Sequence, residues 1–292
     1  MTDSASREAV LITGCSSGIG RATAEYLADR GYNVYATARR PETLAPLEAR
    51  GCKVLPLDVT DESSMSEAVA EVERMEGSVG VLVNNAGYSQ SGAVEEVSMD
   101  RVRRQFETNV FGLIEMCQLV LPGMRRRGYG KIVNVSSMGG KLTFPGGGYY
   151  HASKYAVESI SDALRFEVKG FGVDVILVEP GLIHTSFADT AVGSISDDEA
   201  KGRVHDNPYA GFQEAVARTT RETYEKGPLA RLGGGPETVA ETIEKAITSE
   251  KPRARYPVTP SAWLLMGVRK VLPDRAWDAF VRSQFPQPGV SG

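Results

Sequence analysis

The sequence predicts a doubly wound α/β fold, a parallel sheet with helices on both faces. Three observations carry this expectation. Short, almost wholly apolar runs of strand length alternate with longer amphipathic stretches through the first 180 residues; strands covered on both faces read this way because neither face meets water. Gly14, Gly18 and Gly20, in TGCSSGIG, fall at the first strand-to-helix junction. Neither an internal repeat nor a linker divides the 292 residues, so a single domain spanning 1–292 is expected.

The elements follow in order. EAVLITG is a buried strand, and GIGRATAEYLADRG sets Ile19, Ala22, Tyr26 and Leu27 on one helical face before Gly31 stops it. YNVYATA and KVLPLDV are strands, a helix is nucleated around Asp61, and VGVLVNNAG is a strand. A long helix begins near Ser98, GKIVNVSS is a strand, a helix runs from about Tyr149 to Lys169, and VDVILVEPG is a strand.

Beyond Pro180 the rhythm breaks. Residues 186–235 are rich in Gly, Ser, Asp and charge, with one helix expected around Asn207 to Lys226. Ligands in this architecture bind outside the carboxyl ends of the strands, so an insertion there reads as a substrate lid. The alternative is a surface excursion without function. A helix started by Pro236 and a strand in ARYPVT resume the pattern. The tail, about 260–285, holds two amphipathic helices broken at Pro273; Trp263, Leu264, Leu265, Val268, Val271 and Leu272 form one apolar face, and Trp277, Phe280, Val281 and Phe285 another. Those faces require cover from the body of the subunit, a second subunit, the substrate cleft or a membrane surface.

Composition excludes several classes. Lys and Arg number 33 against 37 Asp and Glu, a net charge of −4, so nothing in the balance points to nucleic acid. Cys15, Cys52 and Cys117 are an odd, widely spaced set with no accompanying His cluster, so neither a disulfide framework nor a metal site is expected. The polar N-terminus and the absence of any apolar run of about 18 residues argue against a signal peptide or a spanning helix, and for the cytoplasm.

Glycines at a first βα turn let the backbone approach a pyrophosphate, and the following helix offers free N–H groups and a positive dipole end. About 20 residues on, an acidic residue would accept the ribose hydroxyl of NAD. Here YATARRPE places Arg39 and Arg40 instead. A guanidinium fork suits a ribose phosphate, so NADP(H) is expected, with Ser16 and Thr37 as further donors. Asp58, closing the third strand, is positioned to meet the adenine. Tyr150 and Lys154 lie four apart on an expected helix and share a face. A cation about 5 Å from the phenol would favour its ionised form by roughly two pK units, as acid/base work on an alcohol or ketone requires.

Taken together, TGCSSGIG, the NNAG of Asn84 to Gly87, Asn109, Ser137, Tyr150 with Lys154, and Pro180 with Gly181 resemble the short-chain dehydrogenase/reductase family and its Rossmann fold. VLITGCSSGIG, YATAR and the HTSF after Gly181 are similar to its branch of 17β-hydroxysteroid and retinol dehydrogenases. The resemblance implies that Tyr150 is the catalytic acid/base and that Lys154 lowers its pKa and holds the nicotinamide ribose. It implies that Ser137 rather than Ser136 bonds the substrate oxygen, and that Asn109 holds a proton-relay water. Ile183 and Thr185, after Pro180 and Gly181, would fix the carboxamide. Ser17, Ile19, Val59, Asn85, Ala86 and Gly87 would complete the cofactor contacts, without a metal. A homodimer or homotetramer, paired through the two long helices, is implied as well.

Three functions follow: an NADP(H)-dependent reductase of a hydrophobic ketone or aldehyde, an NAD-dependent secondary-alcohol dehydrogenase, or a dinucleotide sensor without turnover. Val94, Met138, Leu142, Phe144, His184 and Phe187 are the candidate pocket residues.

Overall fold

The computed structural model describes residues 8–185, 187–199, 208–225 and 229–289. Its sheet has seven parallel strands in the order β3-β2-β1-β4-β5-β6-β7. They are β1 (Ala9–Ile12), β2 (Asn33–Ala38), β3 (Lys53–Pro56), β4 (Val81–Asn84), β5 (Gly130–Val135), β6 (Val173–Glu179) and β7 (Arg255–Pro257). The chain winds outward from β1 to β3 and then returns to lay β4 against the other side of β1. That reversal opens a crevice beyond the carboxyl ends of β1 and β4, where this architecture takes its ligands.

Side chains alternate across a strand, and β1 shows the consequence. Val10 and Ile12 join one core with Leu27, Val133, Ile176, Val239 and Ile243; Ala9 and Leu11 join another with Met65, Leu82, Met116, Ile132 and Val157. The first core is covered by α1 (Gly18–Ala28) and α9 (Pro236–Thr248), the second by α3 (Glu62–Glu76), α5 (Gly112–Arg127) and α6 (Gly148–Val168). Asp61 caps α3 by accepting from the Ser64 amide at 3.2 Å, as its position predicts.

Three differences from the sequence expectation stand out. A short α2 (Ala45–Glu48), entered through a turn at Pro41–Leu44, lies between β2 and β3; it is too brief to show a periodicity. The long helix from Ser98 is divided into α4 (Met99–Phe106), a π-turn at Glu107–Phe111, and α5. Such π-turns frequently mark functional sites, and this one contains Asn109. Among the described residues of the 186–235 stretch there are two α-helices, not one: α7 (Phe187–Glu199) and α8 (Ala210–Glu225), packed on each other. The first is composed largely of small and acidic residues with little apolar rhythm. The expected helix corresponds to α8, while Asn207 and Lys226 lie outside the described residues.

The tail forms α10 (Pro260–Val271) and α11 (Asp274–Arg282), with Pro273 between them. Leu265 and Trp277 are buried in a third core with Met138, Leu142 and Leu182, so the tail packs on the body of its own subunit. Trp263, Leu264 and Val271 remain exposed. Among the described residues, no helix is long and apolar enough to cross a membrane, and no cluster of candidate metal ligands occurs.

Candidate active site

A cavity of about 940 Å³ begins at the glycine turn, passes Ser137 and Tyr150, and ends against α8 and the tail. Gly14 and Gly18 have φ of 73° and 57°, in the left-handed region that favours glycine. A Cβ on Gly14 would sit 2.9 Å from the Ala86 Cα, and one on Gly20 would sit 2.4 Å from both Asn85 Nδ2 and the Gly14 oxygen. The space that Gly20 leaves is used by Asn85, whose amide donates to the Thr13 and Gly14 carbonyls at 2.9 and 3.1 Å. The Thr13 hydroxyl in turn accepts from the Asn85 and Ala86 amides at 3.0 Å each. These bonds join the ends of β1 and β4. Ser16, Ser17, Gly18 and Ile19 line the cavity, whereas Gly20 works behind the wall. Ser17 makes no side-chain capping bond, so the first turn of α1 keeps N–H groups for an anion. The residues present fit a dinucleotide.

Ala38 and Arg39, beyond β2, and Asp58 and Val59, beyond β3, line the same arm. The Asp58 carboxylate accepts from the Thr60 amide and hydroxyl at 3.0 and 2.8 Å, which shapes the turn after β3. Thr37 corrects an expectation: it is fully buried and donates its hydroxyl to the Ile12 carbonyl at 2.9 Å, tying β2 to β1 away from the cavity wall. Arg40 is exposed and lies outside the cavity wall, because the chain turns away into Pro41–Leu44. Arg101 and Arg104 reach the wall beside Arg39. Burial raises the Tyr88 pKa, and these three guanidinium groups act against it. The RVRR run after Ser98 places Arg101 and Arg104 on one helical face, a signal sequence reasoning could have used.

Beyond β5 the chain delivers Ser136 and Ser137. The Ser137 Oγ accepts from the Gly139 amide at 3.0 Å, closing a turn at Met138–Gly140. On α6, Tyr150 and Lys154 stand one turn apart. Burial pushes the Tyr150 phenol up to about 12, with a hydrogen bond to Ser137 opposing. Burial pushes Lys154 down to about 8, with Glu158 opposing. The expected phenol acidification is therefore not found in this arrangement. Desolvation dominates both groups, and the Lys154 Nζ, 6.0 Å from the Tyr150 ring centre, donates to the Val135 carbonyl at 2.8 Å. Tyr149 points elsewhere, donating to the Val94 carbonyl at 2.9 Å.

Asn109 is buried behind this wall. Its amide donates to the Tyr88 carbonyl and Ser153 Oγ at 2.9 and 3.0 Å, and its oxygen accepts from the Tyr88 amide at 3.1 Å. The side chain thus ties the segment after β4 to α6. Asn109 and Lys154 converge on Gly87, whose missing Cβ would lie 3.1 Å from the Asn109 oxygen and 3.8 Å from the Lys154 Nζ.

Pro180, Gly181, Ile183 and Thr185, after β6, also line the cavity. Thr185 faces Gly18 across it, 3.7 Å from where a Cβ would stand. Of the candidate pocket residues, Met138, Phe144 and Phe187 line the wall. Leu142 is fully buried in the third core, Val94 borders a separate groove, and His184 is exposed outside the wall. The far wall comes from Val216, Thr220, Thr223 and Tyr224 of α8 and from Phe280 and Phe285 of the tail. Only tertiary contact brings these together.

The doubly wound sheet, the glycine turn at its switch point and the tyrosine–lysine pair after β5 define an oxidoreductase built to use a nicotinamide dinucleotide. The chain belongs to the short-chain dehydrogenase/reductase family, whose short chain dehydrogenase model matches residues 8–194. It is 36% identical over 267 residues to 3-ketodihydrosphingosine reductase of Bacteroides thetaiotaomicron, covering 91% of this chain and 93% of the relative. It is 33% identical over 279 residues to the NADPH-dependent 3-dehydrocapnine reductase of Ornithobacterium rhinotracheale, with coverage of 92% and 94%. Identity to human 17-beta-hydroxysteroid dehydrogenase type 1 is 35% over 275 residues, with coverage of 90% and 81%. Among solved structures, a short-chain dehydrogenase from Streptomyces avermitilis superposes with a TM-score of 0.73 at 35% identity, covering 94% and 97% of the two chains. A Burkholderia phymatum member in complex with NAD gives 0.74 at 26% identity, covering 98% of each.

Proposed function

We propose that this protein is an NADP(H)-dependent reductase that converts a ketone or aldehyde on a hydrophobic substrate to the alcohol, reversibly. The observation that carries the reading is the meeting of Ser137, Tyr150 and Lys154 in one cavity, with the glycine turn and Arg39 at one end and an aromatic chamber at the other. The bound cofactor supplies the hydride. The Ser137 hydroxyl and Tyr150 phenol hold the carbonyl oxygen, and Tyr150 releases its proton as alkoxide charge develops. A phenol near pKa 12 is a neutral donor at physiological pH, as reduction requires. Lys154 would hold the ribose hydroxyls of the cofactor, which would bring its ammonium and the phenol to bear on one reacting centre. Asn109 holds the loop and helix that position both.

Arg39, with Arg101 and Arg104 nearby, supports a 2′-phosphate; relatives reported to reduce ketodihydrosphingosine, and dehydrocapnine with NADPH, support the direction. Exposed Phe111 and Phe166, on the π-turn and α6, support pairing of subunits into a dimer or tetramer, which light scattering tests. A cytoplasmic location completes the reading, and cell fractionation checks it. The functional test is loss of reduced-cofactor absorbance with a panel of bulky ketones, using NADPH and NADH in parallel. Turnover favouring NADH would establish the NAD-dependent alternative; cofactor binding with no turnover of any ketone would establish the sensor.

A further inference from the structure

His151 follows Tyr150 on α6, and its imidazole lines the cavity. Two glycines make its slot: a Cβ on Gly139 would fall 2.5 Å from Nδ1, and one on Gly147 would fall 2.8 Å from Nε2. Nδ1 lies 3.1 Å from the Gly139 carbonyl oxygen. A carbonyl only accepts, so Nδ1 carries the hydrogen and Nε2 of the neutral ring keeps a lone pair. Burial pushes His151 down to about 4, with the Gly139 hydrogen bond opposing, so the ring is neutral at physiological pH.

The imidazole centre is 5.6 Å from that of Tyr150 and 6.4 Å from that of Phe144, in edge-on contact with both rings. An acceptor is thereby set into an aromatic wall, one residue from the phenol and anchored to the turn that carries Ser137. Such an acceptor discriminates strongly, because a substrate without a donor leaves Nε2 desolvated and unpaired.

We propose that His151 is a specificity residue whose Nε2 accepts a hydrogen bond from a hydroxyl or ammonium on the carbon next to the substrate carbonyl. The inference rests on the reductase reading above and names its substrate class: hydrophobic ketones with a hydrogen-bond donor beside the carbonyl.

Four ketones sharing one octyl chain test it: the methyl, hydroxymethyl, aminomethyl and methoxymethyl ketones. The methoxy compound controls for electronic activation, since its oxygen withdraws electrons but cannot donate. With saturating NADPH, the kcat/KM of the wild type should favour the hydroxymethyl or aminomethyl ketone over the methoxymethyl ketone by about three- to tenfold or more. In His151→Phe that ratio should fall toward one, and His151→Gln, which retains an acceptor, should restore part of it. A wild-type ratio near one, or a ratio unchanged in His151→Phe, overturns the inference. If the wild type reduces none of the four, the reductase reading fails, and calorimetric titration of the same ketones then decides the role of His151 alone. Tighter binding of a donor-bearing ketone to wild type than to His151→Phe upholds that role; equal binding overturns it.

Discussion

Lys154 and Val135 are joined by a 2.8 Å hydrogen bond from the ammonium to the last carbonyl of β5. The cation is thus tied to the strand that delivers Ser137, in a place where burial lowers its pKa from 10.5 to about 8. The unfolded chain holds this proton more tightly than the native one, so the native state carries the full burden below pH 8 and sheds it as pH rises toward 10.5. Lys154→Met should therefore gain stability relative to the wild type at pH 7, by up to about 3 kcal/mol, less the lost hydrogen bond. The gain should shrink toward pH 10.5, as urea denaturation at both pH values would report. The same variant should lose both turnover and cofactor affinity.

Tyr150→Phe removes the proposed proton donor and little else from the wall. Reduction of every ketone should fall by at least about a hundredfold, with NADPH affinity nearly intact by fluorescence titration. Retained turnover would count decisively against Tyr150 as the acid.

Arg39→Leu deletes the guanidinium at the end of β2. Its kcat/KM with NADPH should drop by roughly tenfold to a hundredfold, with the NADH value held or improved. Equal losses with both cofactors would place Arg39 away from the ribose phosphate.

Glu179, the last residue of β6, provides a prediction about pH. Burial, and then the neighbouring Glu158, raise its pKa above the ordinary 4.5. The native state therefore holds more protons than the unfolded chain between 4.5 and neutrality, and stability falls as pH rises through that window. Glu179→Gln, which cannot ionise, should be more stabilising relative to the wild type at pH 8 than at pH 5 in thermal melts at the two pH values.

Much of the fold was legible because its signals are local. Uniformly apolar runs such as AVLI of β1 read as strands covered on both sides, and Asp61 marks the start of α3 through its own side chain. That Tyr150 and Lys154 share one helical face was legible from their spacing, whereas their reading as a working pair needed the glycine turn and the other motifs beside it. Thr37 was misread because its strand position fits a ligand contact as well as it fits the bond to Ile12 that it makes. The electrostatics of Tyr150 depend on how deeply neighbouring segments bury it, which spacing does not encode. Likewise Thr223 and Phe285 reach the cavity only through packing among segments far apart in the chain.

The chamber's far wall, drawn from α8 and the tail, has a consequence for how this chain diversifies. The cradle for the dinucleotide is assembled from segments before residue 190, whereas the surfaces facing Tyr150 from the other side come from positions 216 to 285. Mutational drift in the second group can retune which molecules are accepted while leaving the redox machinery intact. A bulky fusion appended just beyond Phe285 would stand beside the chamber's far wall, although it lies far along the chain from Tyr150 and Lys154.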